Sequence, residues 1–141
     1  MKITSIEVEV PAGQYVLGDP CYAVPHDKWS ELLESCSCFN NPIGRFSTYN
    51  RGSTIIHSAV AFGTRWGDGC YRGTDGNFYP VDAGLIGLVP LSASSNELRD
   101  DLSTVVTFDK PTICSTDGKG KLRFGHITID TDPDEEEEDE D

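Results

Sequence analysis

Ile6-Glu7-Val8-Glu9-Val10 is the stretch that decides the fold. Apolar residues at 6, 8 and 10 with carboxylates between them follow the two-residue period of a strand with one dry and one wet face. Pro11-Ala12-Gly13 breaks the pattern, and Tyr15-Val16-Leu17 predicts a second strand stopped at Gly18-Asp19-Pro20. Further along, residues 54–62 carry Ile55, Ile56, Val60 and Phe62 with little that favours a helix. Asp75-Gly76 between Tyr71 and Phe78 is a hairpin signal, and so is Asp117-Gly118. Leu85-Ile86-Gly87-Leu88-Val89, ended by Pro90, reads as a buried strand, and residues 105–108 and 112–115 as two more.

One helix interrupts the strands. Pro25 suits a first helical turn, Asp27 favours its positive end, and Trp29, Leu32 and Leu33 form one apolar stripe. The helix is expected to end near Cys36, with Asn40, Asn41, Pro42 and Gly44 in a loop. A second short helix is expected over 97–102. In residues 121–130, Leu122 and Phe124 share one parity while Ile127 and Ile129 share the other, which predicts a single strand with a β-bulge at Gly125. Seven to nine short strands and one amphipathic helix give a mainly β (α+β) class, an antiparallel sandwich or partly open barrel. Residues 1–131 are expected to form a single mostly-β domain, and residues 132–141 a disordered acidic tail.

Charge narrows the partners. The 141 residues hold 11 Lys and Arg against 24 Asp and Glu, for a net charge of −13. Nine of those carboxylates fall in the last ten residues, which leaves −4 for the rest. Phosphate backbones and anionic membrane surfaces both require Lys and Arg, so direct nucleic-acid and membrane binding are not expected. No run approaches the ~18 apolar residues of a membrane span. No apolar signal core precedes the first carboxylate, so a cytoplasmic location is expected. The five cysteines, an odd number, are expected to be free thiols.

One internal echo stands out. Gly18-Asp19-Pro20-Cys21-Tyr22 recurs 49 positions later as Gly67-Asp68-Gly69-Cys70-Tyr71. Both are tight-turn sequences, and they suggest two related turns in a pseudo-symmetric sheet. Arg65-Trp66 and Tyr71-Arg72 combine stacking faces with anion donors. Together these place a ligand-binding site at Asp19, Tyr22, Arg65, Trp66, Asp68, Tyr71, Arg72 and Asp82. The segment from Gly67-Asp68-Gly69-Cys70-Tyr71 to Val81-Asp82-Ala83-Gly84-Leu85-Ile86-Gly87 resembles small uncharacterised proteins of bacterial and phage genomes, as does the Gly18-Asp19-Pro20-Cys21-Tyr22 turn. The resemblance implies a phage or mobile-element origin and transfers no catalytic residue.

Catalytic and cofactor chemistry finds little support. A thiol nucleophile needs a low-pKa Cys beside a His, and the conceivable pairs are Cys21 with His26 and Cys70 with His57. Asp68 and Arg72 occupy the flanking positions where a nucleophile elbow around Cys70 needs glycine. Cys36-Ser37-Cys38 has one intervening residue, too few for the usual zinc pair. Asp130, Asp132 and Asp134 alternate as calcium ligands do, but Glu135 stands where the EF-hand loop turns on glycine. No glycine-rich phosphate cradle is present. No metal or cofactor is expected. The favoured function is a non-enzymatic binding protein, a phage-type inhibitor of a host factor or a scavenger of a small anionic ligand. The alternative is a small hydrolase or transferase using Asp19, Asp68 or Asp82 beside Cys or His.

Overall fold

The computed structural model describes residues 5–35, 42–65, 67–95, 98 and 101–131. Its strands are β1 (Ile6–Val10), β2 (Gly13–Gly18), β3 (Ile43–Asn50), β4 (Ser53–Gly63), β5 (Gly69–Arg72), β6 (Phe78–Val81), β7 (Leu85–Pro90), β8 (Ser103–Phe108), β9 (Thr112–Thr116), β10 (Lys121–Phe124) and β11 (Ile127–Asp130). Among the described residues one α-helix, α1 (Trp29–Ser35), follows 3-10 turns at Pro20–Tyr22 and His26–Lys28. The expected tail, 132–141, lies outside the described residues. Among those residues no helix is long and apolar enough to cross a membrane.

The protein is mainly β, with every strand pairing antiparallel. One sheet has the order β1-β9-β10-β11 and the other β3-β4-β7-β2-β8, with β5 and β6 as a separate hairpin. The two sheets face each other as a sandwich, without barrel closure. Leu17, Phe62, Ile86 and Leu88 from the larger sheet meet Cys114, Leu122, Phe124 and Ile129 from the smaller one. Phe62 and Phe124 touch across the interface with ring centroids 5.7 Å apart. Tyr71, Tyr79 and Val81 of the β5–β6 hairpin join the same core.

The larger sheet is also covered on its second face. There Val16, Phe46, Ala59 and Val89 pack against Ala23, Val24, Leu32 and Ala93. With layers on both sides, the central strand β7 has no wet face, and Leu85 to Val89 are all buried. That is why its sequence is a continuous apolar run, whereas β1, with one face in water, alternates.

Several expectations are corrected. Residues 121–130 do not form one bulged strand: β10 and β11 pair with each other, Phe124 opposite Ile127. Gly125-His126 is a two-residue hairpin turn with Gly125 at φ +64°, the glycine-first pattern of a type II′ turn. Residues directly opposite in a hairpin share a face, so Leu122, Phe124, Ile127 and Ile129 are all buried despite their change of parity. Strand β3 was missed because Pro42 and Gly44 read as loop. It forms because Arg51 (φ +53°) and Gly52 (φ +83°) close a tight turn that folds it onto β4. These additions bring the strands among the described residues to eleven, above the seven to nine expected. In α1, Trp29 and Leu32 face the core, but Leu33 is exposed, because the seven-residue helix presents only a narrow stripe. Of the helix expected over 97–102, only Leu98, Asp101 and Leu102 are described, the last two in a turn.

Gly87 shows how tightly the middle of the sheet is drawn. It pairs with Gly18 on one side and Ala61 on the other, and a Cβ there would collide with the Val60 carbonyl. Backbone cannot give way as a side-chain tip can. Gly87→Ala is expected to lower stability by at least about 2 kcal/mol. Urea unfolding of the two proteins under the same conditions checks this.

Candidate functional site

Gly18 ends β2, and Asp19 follows with no exposed surface. Buried carboxylates are costly unless saturated with donors. Asp19 Oδ1 accepts the Cys21 amide at 3.0 Å, which caps the Pro20–Tyr22 turn. Its Oδ2 accepts the amides of Asp82 and Ala83, each at 2.7 Å. Two successive amides aimed at one oxygen form a small anion nest, and here the chain fills it with its own carboxylate.

This contact gathers three connections at one end of the sandwich. The β6–β7 turn, residues 82–84, is held by Asp19. Its Gly84 carbonyl accepts the Thr64 amide at 3.0 Å, which brings in the segment between β4 and β5. Within that segment the Gly67 carbonyl accepts the Thr64 hydroxyl at 2.7 Å and the Tyr71 hydroxyl at 3.2 Å. The Arg65 amide donates to the Thr131 hydroxyl at 2.8 Å. So the two Gly-Asp-x-Cys-Tyr segments do lie at the same end of the fold.

They are not equivalent there. Asp19 is buried and heads a 3-10 turn, whereas Asp68 is exposed and leads into β5. Cys21 and Tyr22 are half-buried, whereas Cys70 is exposed and Tyr71 buried. The echo therefore marks two different turn solutions and gives no sign of pseudo-symmetry. Of the predicted site residues, the structure brings Asp19, Tyr22 and Asp82 together, with Cys21 among them. Burial, then the charge of Asp82 with Cys21 and Asp19, pushes the Tyr22 phenol up. Arg65, Asp68 and Asp82 are exposed around the same loops. Arg72 is exposed further along β5, its guanidinium 5.6 Å from the centre of the Phe78 ring. Trp66 lies outside the described residues.

Two of the described thiols, Cys21 and Cys114, are held protonated. Burial and then the charge of Asp19, which also accepts a hydrogen bond from the thiol, push Cys21 up to about 12; Asp82 adds to this, while the Ala83 amide opposes it. Burial alone raises Cys114 to about 12. His57 is committed to Thr48, 2.8 Å from its hydroxyl, on the β3–β4 ribbon. Among the described residues no group of three or more His, Cys, Asp or Glu is placed to hold a metal ion.

A second surface escaped the sequence. The β3–β4 ribbon exposes Tyr49, Ile55 and Ile56. A cleft of about 280 Å³ lies at its base, walled by Ile56, Val60, Leu88, Pro90 and Pro11. Its only sequence signals are the Ile55-Ile56 pair and the Arg51-Gly52 turn. Larger clefts of about 450 and 420 Å³, beside Pro11–Tyr15 and beside Asp109–Thr112, also lie away from the predicted residues. Comparisons with protein-family models, with curated proteins and with solved structures return no match.

Two outcomes follow from the Asp19 contact. Asp19→Asn turns one acceptor into a donor facing main-chain amides, and should cost about 3 kcal/mol in urea unfolding. A thiol at about 12 is roughly one part in 10⁴ thiolate at pH 8. Iodoacetamide at that pH should therefore label Cys70 well before Cys21 or Cys114, as read by peptide mass mapping.

Proposed function

We propose that this protein works by binding, as a phage-type inhibitor of a host factor or a scavenger of a small anionic ligand. One observation carries the proposal: the most buried carboxylate of the candidate site, Asp19, is saturated by three main-chain amides, and the thiol beside it is held protonated. A general base must have a lone pair free for a substrate proton, and a nucleophilic cysteine must be a thiolate. What remains on the surface is recognition chemistry. Tyr22 stands half-exposed beside Asp82, and Arg65, Asp68 and Arg72 are exposed. The Arg72 guanidinium lies over the Phe78 ring, 5.6 Å from its centre, and its N–H donors suit a carboxylate or phosphate. Loops set on a rigid β scaffold are where binding residues commonly sit.

Native mass spectrometry of the full chain, purified gently from cells, tests the proposal. The expected spectrum carries added mass, either a second protein or a small anion, and Tyr22→Ala with Arg72→Ala lowers its occupancy. A clean apo mass together with ester or phosphoester turnover that falls in Asp82→Asn would overturn the proposal in favour of a hydrolase.

A further inference from the structure

Two adjacent amides just past β4 are tied to different sheets. Thr64 donates to the Gly84 carbonyl at 3.0 Å, in the turn that leads into β7 of the larger sheet. Arg65 donates to the Thr131 hydroxyl at 2.8 Å, on the residue that follows β11 of the smaller sheet. In the core the two sheets meet through apolar side chains such as Phe62 and Phe124, and that attraction has no direction. A hydrogen bond does have one. The bond to Thr131 therefore fixes where the start of the β4–β5 segment stands over the end of the smaller sheet.

Thr131 is held in one orientation for this contact. It has no exposed surface. Its amide donates to the Gly120 carbonyl at 2.8 Å, which carries the β10–β11 pairing one residue past Asp130. Its hydroxyl donates to the same carbonyl at 2.6 Å. A hydroxyl has a single proton, so once that proton is given to Gly120, what faces Arg65 is a lone pair. The β-branch of threonine limits χ1 and keeps the oxygen aimed there. From Arg65 the chain of contacts continues through Thr64 to the 82–84 turn, whose Asp82 and Ala83 amides rest on Asp19. Arg65 and Asp82, both exposed, thus stand at two points of one hydrogen-bonded path that begins at Thr131.

We propose that Thr131 is a positioning residue for the binding site: its hydroxyl holds Thr64 and Arg65 against the 82–84 turn and so sets Arg65 and Asp82 relative to each other. The proposal rests on the binding function above and adds that the geometry of that site is controlled from the end of β11, by a residue with no surface of its own.

The test uses the full chain and residue-resolved amide exchange. Thr131→Val keeps the side-chain shape and removes both hydroxyl contacts. The amides of Thr64, Arg65, Asp82 and Ala83 should then exchange about three- to tenfold faster. Those of Ala61 and Gly125, bonded to the Pro42 and Ile113 carbonyls, should keep their rates. Thr131→Ser retains the hydroxyl and should restore most of the protection. The added mass in the native spectrum should lose occupancy in Thr131→Val and regain it in Thr131→Ser. Should Thr131→Val fail to fold, Thr131→Cys, with a thiol that donates and accepts only weakly, gives a second variant with the same expected pattern. Equal acceleration at Ala61 and Gly125 would overturn the proposal, because the change would then be a general loss of stability. Acceleration that stops at Arg65 would also overturn it, since Thr131 would not reach the 82–84 turn. So would a Thr131→Ser protein as loose as Thr131→Val, which would assign the effect to the methyl group. Added mass that Thr131→Val leaves unchanged rejects this role alone, whereas a clean spectrum with turnover rejects the binding function itself.

Discussion

Much of this structure hangs on a single buried carboxylate. Asp19 joins segments more than 60 residues apart, with one oxygen on the turn that follows β2 and the other on the turn between β6 and β7. The cost of burying the charge is offset because, besides the Cys21 thiol, it meets three main-chain amides that would otherwise need partners of their own. The consequences spread in both directions. The 3-10 turn capped by Asp19 sets Ala23 and Val24 into the second core, and Ser95 reaches back to the Ala23 carbonyl at 2.6 Å. The 82–84 turn, fixed from below, presents Gly84 to Thr64 and so positions the entry to β5. A carboxylate that organises three connections is not available for chemistry on a ligand.

Legibility in the sequence followed burial. Strands with one wet face, such as β1, and the doubly covered β7 were readable, because the core imposes period two on the first and a continuous apolar run on the second. The hairpins at Asp75-Gly76 and Asp117-Gly118 were readable from their turn residues. What escaped depended on turn geometry. In β10–β11 the phase change between Phe124 and Ile127 is the mark of either a bulge or a two-residue turn, and only pairing decides between them. The ribbon escaped because its turn places Arg51, a residue with no preference for positive φ, where asparagine or glycine is usual. At the site, proximity was legible and role was not. The two Gly-Asp-x-Cys-Tyr segments do gather at one end, but nothing local to either says that the first Asp is buried and the second exposed.

The charge distribution gives the two surfaces different characters. Arg65, next to Thr131, sits just beyond the Gly63 end of β4, and the carboxylate-rich last ten residues are attached there. Arg51 sits past the other end, with the eleven residues of β4 between them, roughly 35 Å at strand rise. At physiological salt the Debye length is about 8 Å, so Arg51 at the tip and the loop carboxylates Asp68 and Asp82 are screened from each other over most of that distance. A charged group at the ribbon tip therefore meets the local charge of Arg51, in a stretch from 43 to 63 that holds no carboxylate, rather than the net charge of −13. At the loop end the same group meets Asp68 and Asp82, both exposed. A protein can thus be acidic overall and still present one positive end, provided that the charge is carried away from the body. The β3–β4 ribbon does this by continuing past the point where β7 leaves it.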